Sequence, residues 1–167
     1  MDSSEIKTAR EVAIKHIGIA TYSSGSIYEY LLRKNFSDEA ARAVVDELIE
    51  RKYIDDVKAS RKILLSRTGK KQESKDLLLK RLIEGGVDRF VAEDYIYELP
   101  SDSDTILSLF EAHTDDSSDV HSDEFRNNLA SIASKRGYSY ECFNSAYKIF
   151  VLYHINLYMQ FLSNQIL

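Results

Sequence analysis

The chain has 167 residues, 44% of them apolar, with one Pro, six Gly, no Trp and a formal charge of −5. That is enough apolar material for one domain-sized core or a short repeat array, and so few breakers disfavour a loop-rich or all-β fold. The lone cysteine, Cys142, excludes a disulfide framework and a cysteine-based zinc site, and fits a reducing, cytoplasmic compartment.

Charges run through residues 1–16 with no apolar stretch, so this segment is not read as a signal peptide. Residues 5–20 place Ile6, Ala9, Ala13, Ile17 and Ala20 at three- and four-residue spacing, which predicts an amphipathic helix. Ser23 to Ser26, with Gly25, interrupt it. A second helix is expected over 26–34, closed by Asn35, a residue type that tolerates left-handed backbone. Ser37 caps a third. After Tyr53-Ile54, Asp55 is read as an N-cap and Asp56 as a charge favouring the positive end of a helix over 56–68. A basic turn, 68–72, leads to helices over 73–84, 88–99 and 103–112, with Pro100 and Ser101 between the last two. An acidic loop, 114–121, precedes helices over 122–136 and 139–162.

These elements recur with a period of 51 residues. Leu31, Leu82 and Ala133 correspond, as do Asn35, Gly86 and Gly137, then Phe36, Val87 and Tyr138, then Leu48, Leu99 and Phe150. The candidate caps Ser37, Asp88 and Ser139 keep the same spacing. Such a period predicts one supersecondary unit used several times. The expected fold is all-α: three tandem three-helix repeats, 1–55, 56–99 and 100–150, in an elongated, curved array, plus a C-terminal helical extension, 151–167. Stacked helical units make extended binding surfaces more often than catalytic pockets.

Charge is uneven along the chain. Residues 58–89 hold 10 basic and 4 acidic side chains, whereas 90–167 hold 4 basic and 12 acidic. Lys58, Arg61, Lys62, Arg67, Lys70, Lys71, Lys75, Lys80 and Arg81 form the candidate binding segment. Lys58, Arg61 and Lys62 share one helix face by their spacing, and such a cluster suits phosphate neutralisation without base reading. The plainer alternative is a solvated helix face.

No constellation for catalysis is apparent. His16, His113, His121 and His154 lack metal spacing, and no phosphate loop exists around Gly85-Gly86. Asp115, Asp116, Asp119 and Asp123 lack the central Gly of a calcium loop and read as a solvated linker. Cys142 aligns with Ala40 and Val91, apolar positions, and is expected as a buried thiol. Residues 149–158 contain His154 and Asn156 and are too short and polar to span a bilayer. The stretch 150–167 is apolar almost all round, so it should pack on the third repeat or form a homodimer contact, in a protein otherwise expected to be monomeric.

Three passages, 13–56, 77–99 and 129–148, together resemble the RecX family, the modulators of the recombinase RecA. The residues that carry the likeness are Tyr53-Ile54-Asp55-Asp56 at a helix end, Gly86 before Val87, and Arg136-Gly137-Tyr138. Departures are Ala59 and Ser60, where the family has an aromatic-Ala step, and Gly85, where it has Lys. The resemblance implies a non-enzymatic regulator without cofactor. It would bind the RecA filament, and DNA through the basic segment, in recombination, DNA repair and the SOS response.

Overall fold

The computed structural model describes residues 3–115 and 118–165, with the side chains of all but 157–159 and 161–165. Among the described residues every regular element is helical: α1 (Ser3–Ile17), α2 (Ser24–Arg33), α3 (Asp38–Glu50), α4 (Asp56–Leu64), α5 (Lys75–Glu84), α6 (Arg89–Tyr97), α7 (Asp102–Ala112), α8 (Asp123–Lys135) and α9 (Tyr140–Gln165), with one 3₁₀ turn, Gly69–Lys71. The all-helical expectation holds.

Several helix ends differ from the sequence expectation. Helix α1 stops at Ile17, three residues early, because Gly18 takes φ 50° and its N–H bonds to Ile14 O at 3.1 Å. Helix α2 starts two residues early because Ser23 accepts from Ser26 N at 3.3 Å, making Ser23 the cap. Helix α4 ends at Leu64, four residues short of 68.

The 51-residue correspondence has a specific geometry. Asn35, Gly86 and Gly137 sit at φ 63°, 75° and 85°. Each is the left-handed residue of the same two-bond helix stop. The outer bond runs from Phe36 N to Leu31 O (3.3 Å), Val87 N to Leu82 O (3.0 Å) and Tyr138 N to Ala133 O (3.1 Å). The inner one runs from Asn35 N to Leu32 O, Gly86 N to Ile83 O and Gly137 N to Ser134 O, at 2.9, 2.9 and 3.0 Å. The paired apolar residues aligned in the sequence are those that flank this stop. The next helix is then capped by Ser37 onto Ala40 N, Asp88 onto Phe90 N and Val91 N, and Ser139 onto Cys142 N.

The helices gather into two compact units, one of Met1–Leu65 with Leu79–Glu98, the other of Ser66–Leu78 with Leu99–Leu167. The first has its core between α1, α2 and α3, where Ala9, Ala13, Ile27, Leu31, Val44 and Leu48 are fully buried. The second is built on Phe110 of α7. The rings of Phe143 and Phe150 meet it edge-on at 5.5 Å, and Tyr147 donates its hydroxyl to Val120 O at 2.7 Å. Past Phe150, α9 continues without a break. Its half-buried His154 lies 4.4 Å from the Phe150 ring and 3.7 Å from Glu111, while Leu152, Tyr153 and Ile155 are exposed. The remaining side chains expected to pack in this tail, and Asp116 of the acidic loop, lie outside the described residues.

Candidate functional site

The first part of the basic segment lies on α4, in the first unit. Lys58 Nζ is 3.2 Å from Asp55 Oδ2, Arg61 is exposed, and Lys62 Nζ donates to Thr21 O at 3.0 Å while sitting 5.9 Å over the Tyr22 ring. Lys80, exposed and 3.8 Å from Glu84, and half-buried Arg81 belong to the same unit.

Arg67, Lys70, Lys71 and Lys75 belong to the second unit. Its organiser is Glu73, an acid with no local signature in the sequence, which is 1% exposed. Arg67 and Arg136 approach Glu73 Oε1 at 3.8 and 3.5 Å. A buried carboxylate needs such cations to offset its desolvation. Arg136 also donates to Lys70 O at 3.0 Å, fixing the 3₁₀ turn that presents exposed Lys70 and Lys71. Burial holds His113, which faces Lys70 and Arg136, below its ordinary range. Lys75 opens α5, and its amide is held by Asp102 Oδ1 at 2.8 Å.

The signature residues divide by role. Tyr53 is exposed and Ile54 buried. Asp55 caps α4 by accepting from Lys58 N at 3.0 Å, and this holds its carboxyl below the usual range. Asp56 does more than favour a helix end. Its carboxylate turns away from its own helix, accepting from Ser24 N (2.7 Å), Ser24 Oγ (2.6 Å) and Asp88 N (2.8 Å). One buried acid thereby ties the starts of α2 and α6 to α4.

Gly86 and Gly137 do more than allow positive φ. Gly25 N donates to Gly86 O at 2.7 Å, and Ser23 Oγ to Gly85 O at 2.6 Å. Fifty-one residues on, Ser74 N donates to Arg136 O at 3.0 Å. A Cβ on Gly86 would meet Ser26 N at 2.8 Å, and one on Gly137 would meet Ser74 Oγ at 2.5 Å. Gly85, in place of the family's Lys, would set a Cβ 2.7 Å from Ile63 Cδ1. The departures at Ala59 and Ser60 are buried, and Ser60 Oγ donates to Asp56 O at 2.7 Å.

Tyr138 is buried with its hydroxyl 3.0 Å from Thr105 Oγ1, and burial pushes its phenol up to about 12. An unfolded tyrosine ionises near pH 10, so the folded form holds its proton longer. The resulting stability is present below pH 10 and lost as pH rises toward 12. Tyr138→Phe is expected to cost about 1 kcal/mol at pH 8 and to flatten this alkaline loss. Urea unfolding at pH 8 and 11 checks it; parallel losses in both proteins would refute it.

Cys142 is half-buried rather than fully buried, and burial raises its thiol above the ordinary range. Among the described residues no group of three or more His, Cys, Asp or Glu gathers as a metal site, and no helix is long and apolar enough to cross a membrane.

Helix stops that hydrogen-bond back to a helix start 62 residues earlier define a helical-repeat scaffold. No family model matches the chain. The regulatory protein RecX of Prosthecochloris aestuarii (strain DSM 271 / SK 413) is 32% identical over 101 residues, 60% of this chain and 67% of that one. The crystal structure of RecX from Lactobacillus salivarius is similar with a TM-score of 0.68, over 90% of this chain and 99% of that one, at 14% identity, a likeness of fold. The chain belongs to the RecX family of regulatory proteins.

Proposed function

We propose that this protein is a non-enzymatic regulator that binds the RecA filament and lowers its ATPase and strand exchange during recombination and DNA repair. Membership of the RecX family carries the reading. The exposed cations support it: Lys58, Arg61, Lys70, Lys71 and Lys80 stand out from the fold where a polyphosphate chain could reach them. Arg67 and Arg136 serve Lys70 and Lys71 indirectly: both offset the charge of Glu73, and Arg136 holds the 3₁₀ turn. The three repeats, 1–55, 56–99 and 100–150, form the binding body, with 151–167 as an extension. The protein acts in the cytoplasm as a monomer and needs no cofactor.

RecA's single-strand-dependent ATPase, titrated with this protein at two salt concentrations, tests the proposal. Inhibition near stoichiometry is the expected result. No effect at either salt from folded protein would overturn it and leave a helical-repeat adaptor with another partner. Reversing Lys70, Lys71 and Lys75 to Glu is expected to weaken filament binding at low salt at least tenfold. It should also flatten the log–log salt dependence by about 2, at roughly 0.7 for each single-strand phosphate that a lysine no longer neutralises. An unchanged slope and affinity would remove these lysines from the interface.

A further inference from the structure

The repeat supplies its own control for which surface residues the fold requires. Glu39, Phe90 and Glu141 correspond at the 51-residue spacing, near the starts of α3, α6 and α9, and all three are exposed. Asp46, Tyr97 and Lys148 correspond two turns further on and are likewise exposed. Where α3 and α9 present charges, α6 presents two aromatic rings, with Phe90 76% and Tyr97 85% exposed. The same helix position is filled twice by a solvated charge, so neither ring is needed to make the helix or its packing.

The two rings are seven residues apart and lie along one side of α6, about 10 Å from each other along the axis. Between them stand Glu93 and Asp94, both exposed. Arg89 Nε bonds Glu93 Oε1 at 2.8 Å and offsets that charge. Asp94 and Glu98 leave the face acidic. A phosphate backbone is repelled there. A lysine or arginine is favoured twice, by the carboxylates and by the ring faces, which attract cations within about 6 Å. Exposed aromatic side chains beside complementary charge are the composition of protein-binding hot spots.

We propose that the outward face of α6, centred on Phe90, Asp94 and Tyr97, docks a lysine- or arginine-bearing segment of a protein partner. Resting on the function proposed above, that segment belongs to the recombinase subunits of the filament and not to its DNA. The basic segment and the α6 face then take different components of one target: phosphate at the lysines, protein at the rings.

The test is binding of the full chain to RecA filaments on single-stranded DNA, and to the same DNA without RecA, for wild type, the double variant Phe90→Glu/Tyr97→Lys, and Asp94→Lys. The double variant installs the residues that α9 carries at these places, leaves the formal charge unchanged, and is expected to unfold at the wild-type temperature. Its filament affinity should fall at least tenfold, with its affinity for bare DNA unchanged. Asp94→Lys changes one exposed side chain, so it remains informative if the double variant folds poorly, and it should also weaken filament binding severalfold. Filament binding unchanged in both variants, with wild type binding normally, would overturn this proposal alone. If only Asp94→Lys binds as wild type, the partner is not cationic and the proposal fails as stated. If wild type does not bind the filament, the function proposed above fails first and this inference with it. Loss of self-association on sedimentation, without loss of filament binding, would assign the face to a second copy and also overturn it.

Discussion

Asp56→Ala is expected to destabilise the first unit by about 3–5 kcal/mol, the sum of three short bonds to a charged acceptor at somewhat less than additive strength. The carboxylate is buried and accepts from Ser24 N, Ser24 Oγ and Asp88 N at 2.6 to 2.8 Å. Two of these donors are backbone groups at the start of α2 and beside the start of α6, where a helix has N–H groups without an internal partner. Alanine leaves both without this acceptor, and the desolvation cost is then borne in full. The negative charge also sits favourably near two positive helix ends. Asp56→Asn keeps the shape but removes the charge and turns one acceptor into a donor, so it should fall between wild type and alanine. Denaturant unfolding followed by circular dichroism gives the values. A loss below about 1 kcal/mol for alanine would mean that the carboxylate does not organise these helix starts. By contrast, Asp55→Ala removes a cap at the exposed end of α4 and should cost about 1 kcal/mol.

The contrast between these neighbouring aspartates marks where a sequence stops being legible. Asp55 can be read because a cap acts on its own helix, three residues away. Asp56 acts on residues 32 positions away in either direction, Ser24 and Asp88, and no local spacing encodes that. Glu73 and Asp102 escape notice for the same reason, since Arg136 reaches Glu73, and Asp102 reaches the Lys75 amide, from a distant part of the chain. One signal is available: Ser23 and Ser74 stand 51 residues apart, each before a helix and each hydrogen-bonded to the helix stop of the following segment. The helix stops themselves are fully legible, because Asn35, Gly86 and Gly137 are the residue types that left-handed backbone selects. Gly18 obeys the same rule, yet the apolar spacing of Ala20 masks it. Alignment with Ala40 places Cys142 in the core, but the period fixes helix position and not the depth of burial: Ala40 is buried, whereas Val91 is half-buried like Cys142.

Gly86→Ala is expected to cost about 3 kcal/mol or more, well above the same change at the corresponding Asn35. At both sites alanine meets the steric penalty of left-handed backbone, about 1–2 kcal/mol. Asn35 is exposed, so the penalty there stops at that figure. At Gly86 the new Cβ falls 2.8 Å from Ser26 N and 3.1 Å from Gly25 C, backbone atoms that can yield only by moving the start of α2. That movement breaks the 2.7 Å bond from Gly25 N to Gly86 O and strains the 2.6 Å bond from Ser23 Oγ to Gly85 O. Gly137→Ala should fall between the two, because its nearest neighbour is the Ser74 hydroxyl, whose rotor can turn, with Leu77 Cβ at 3.1 Å behind it. The order Gly86 > Gly137 > Asn35 is read from urea midpoints of the three alanine variants. Equal losses at all three would show that only the backbone angle matters. The expected order gives the physical reason for asparagine at one stop and glycine at the other two: asparagine satisfies the angle, and glycine satisfies both the angle and the segment pressed against it.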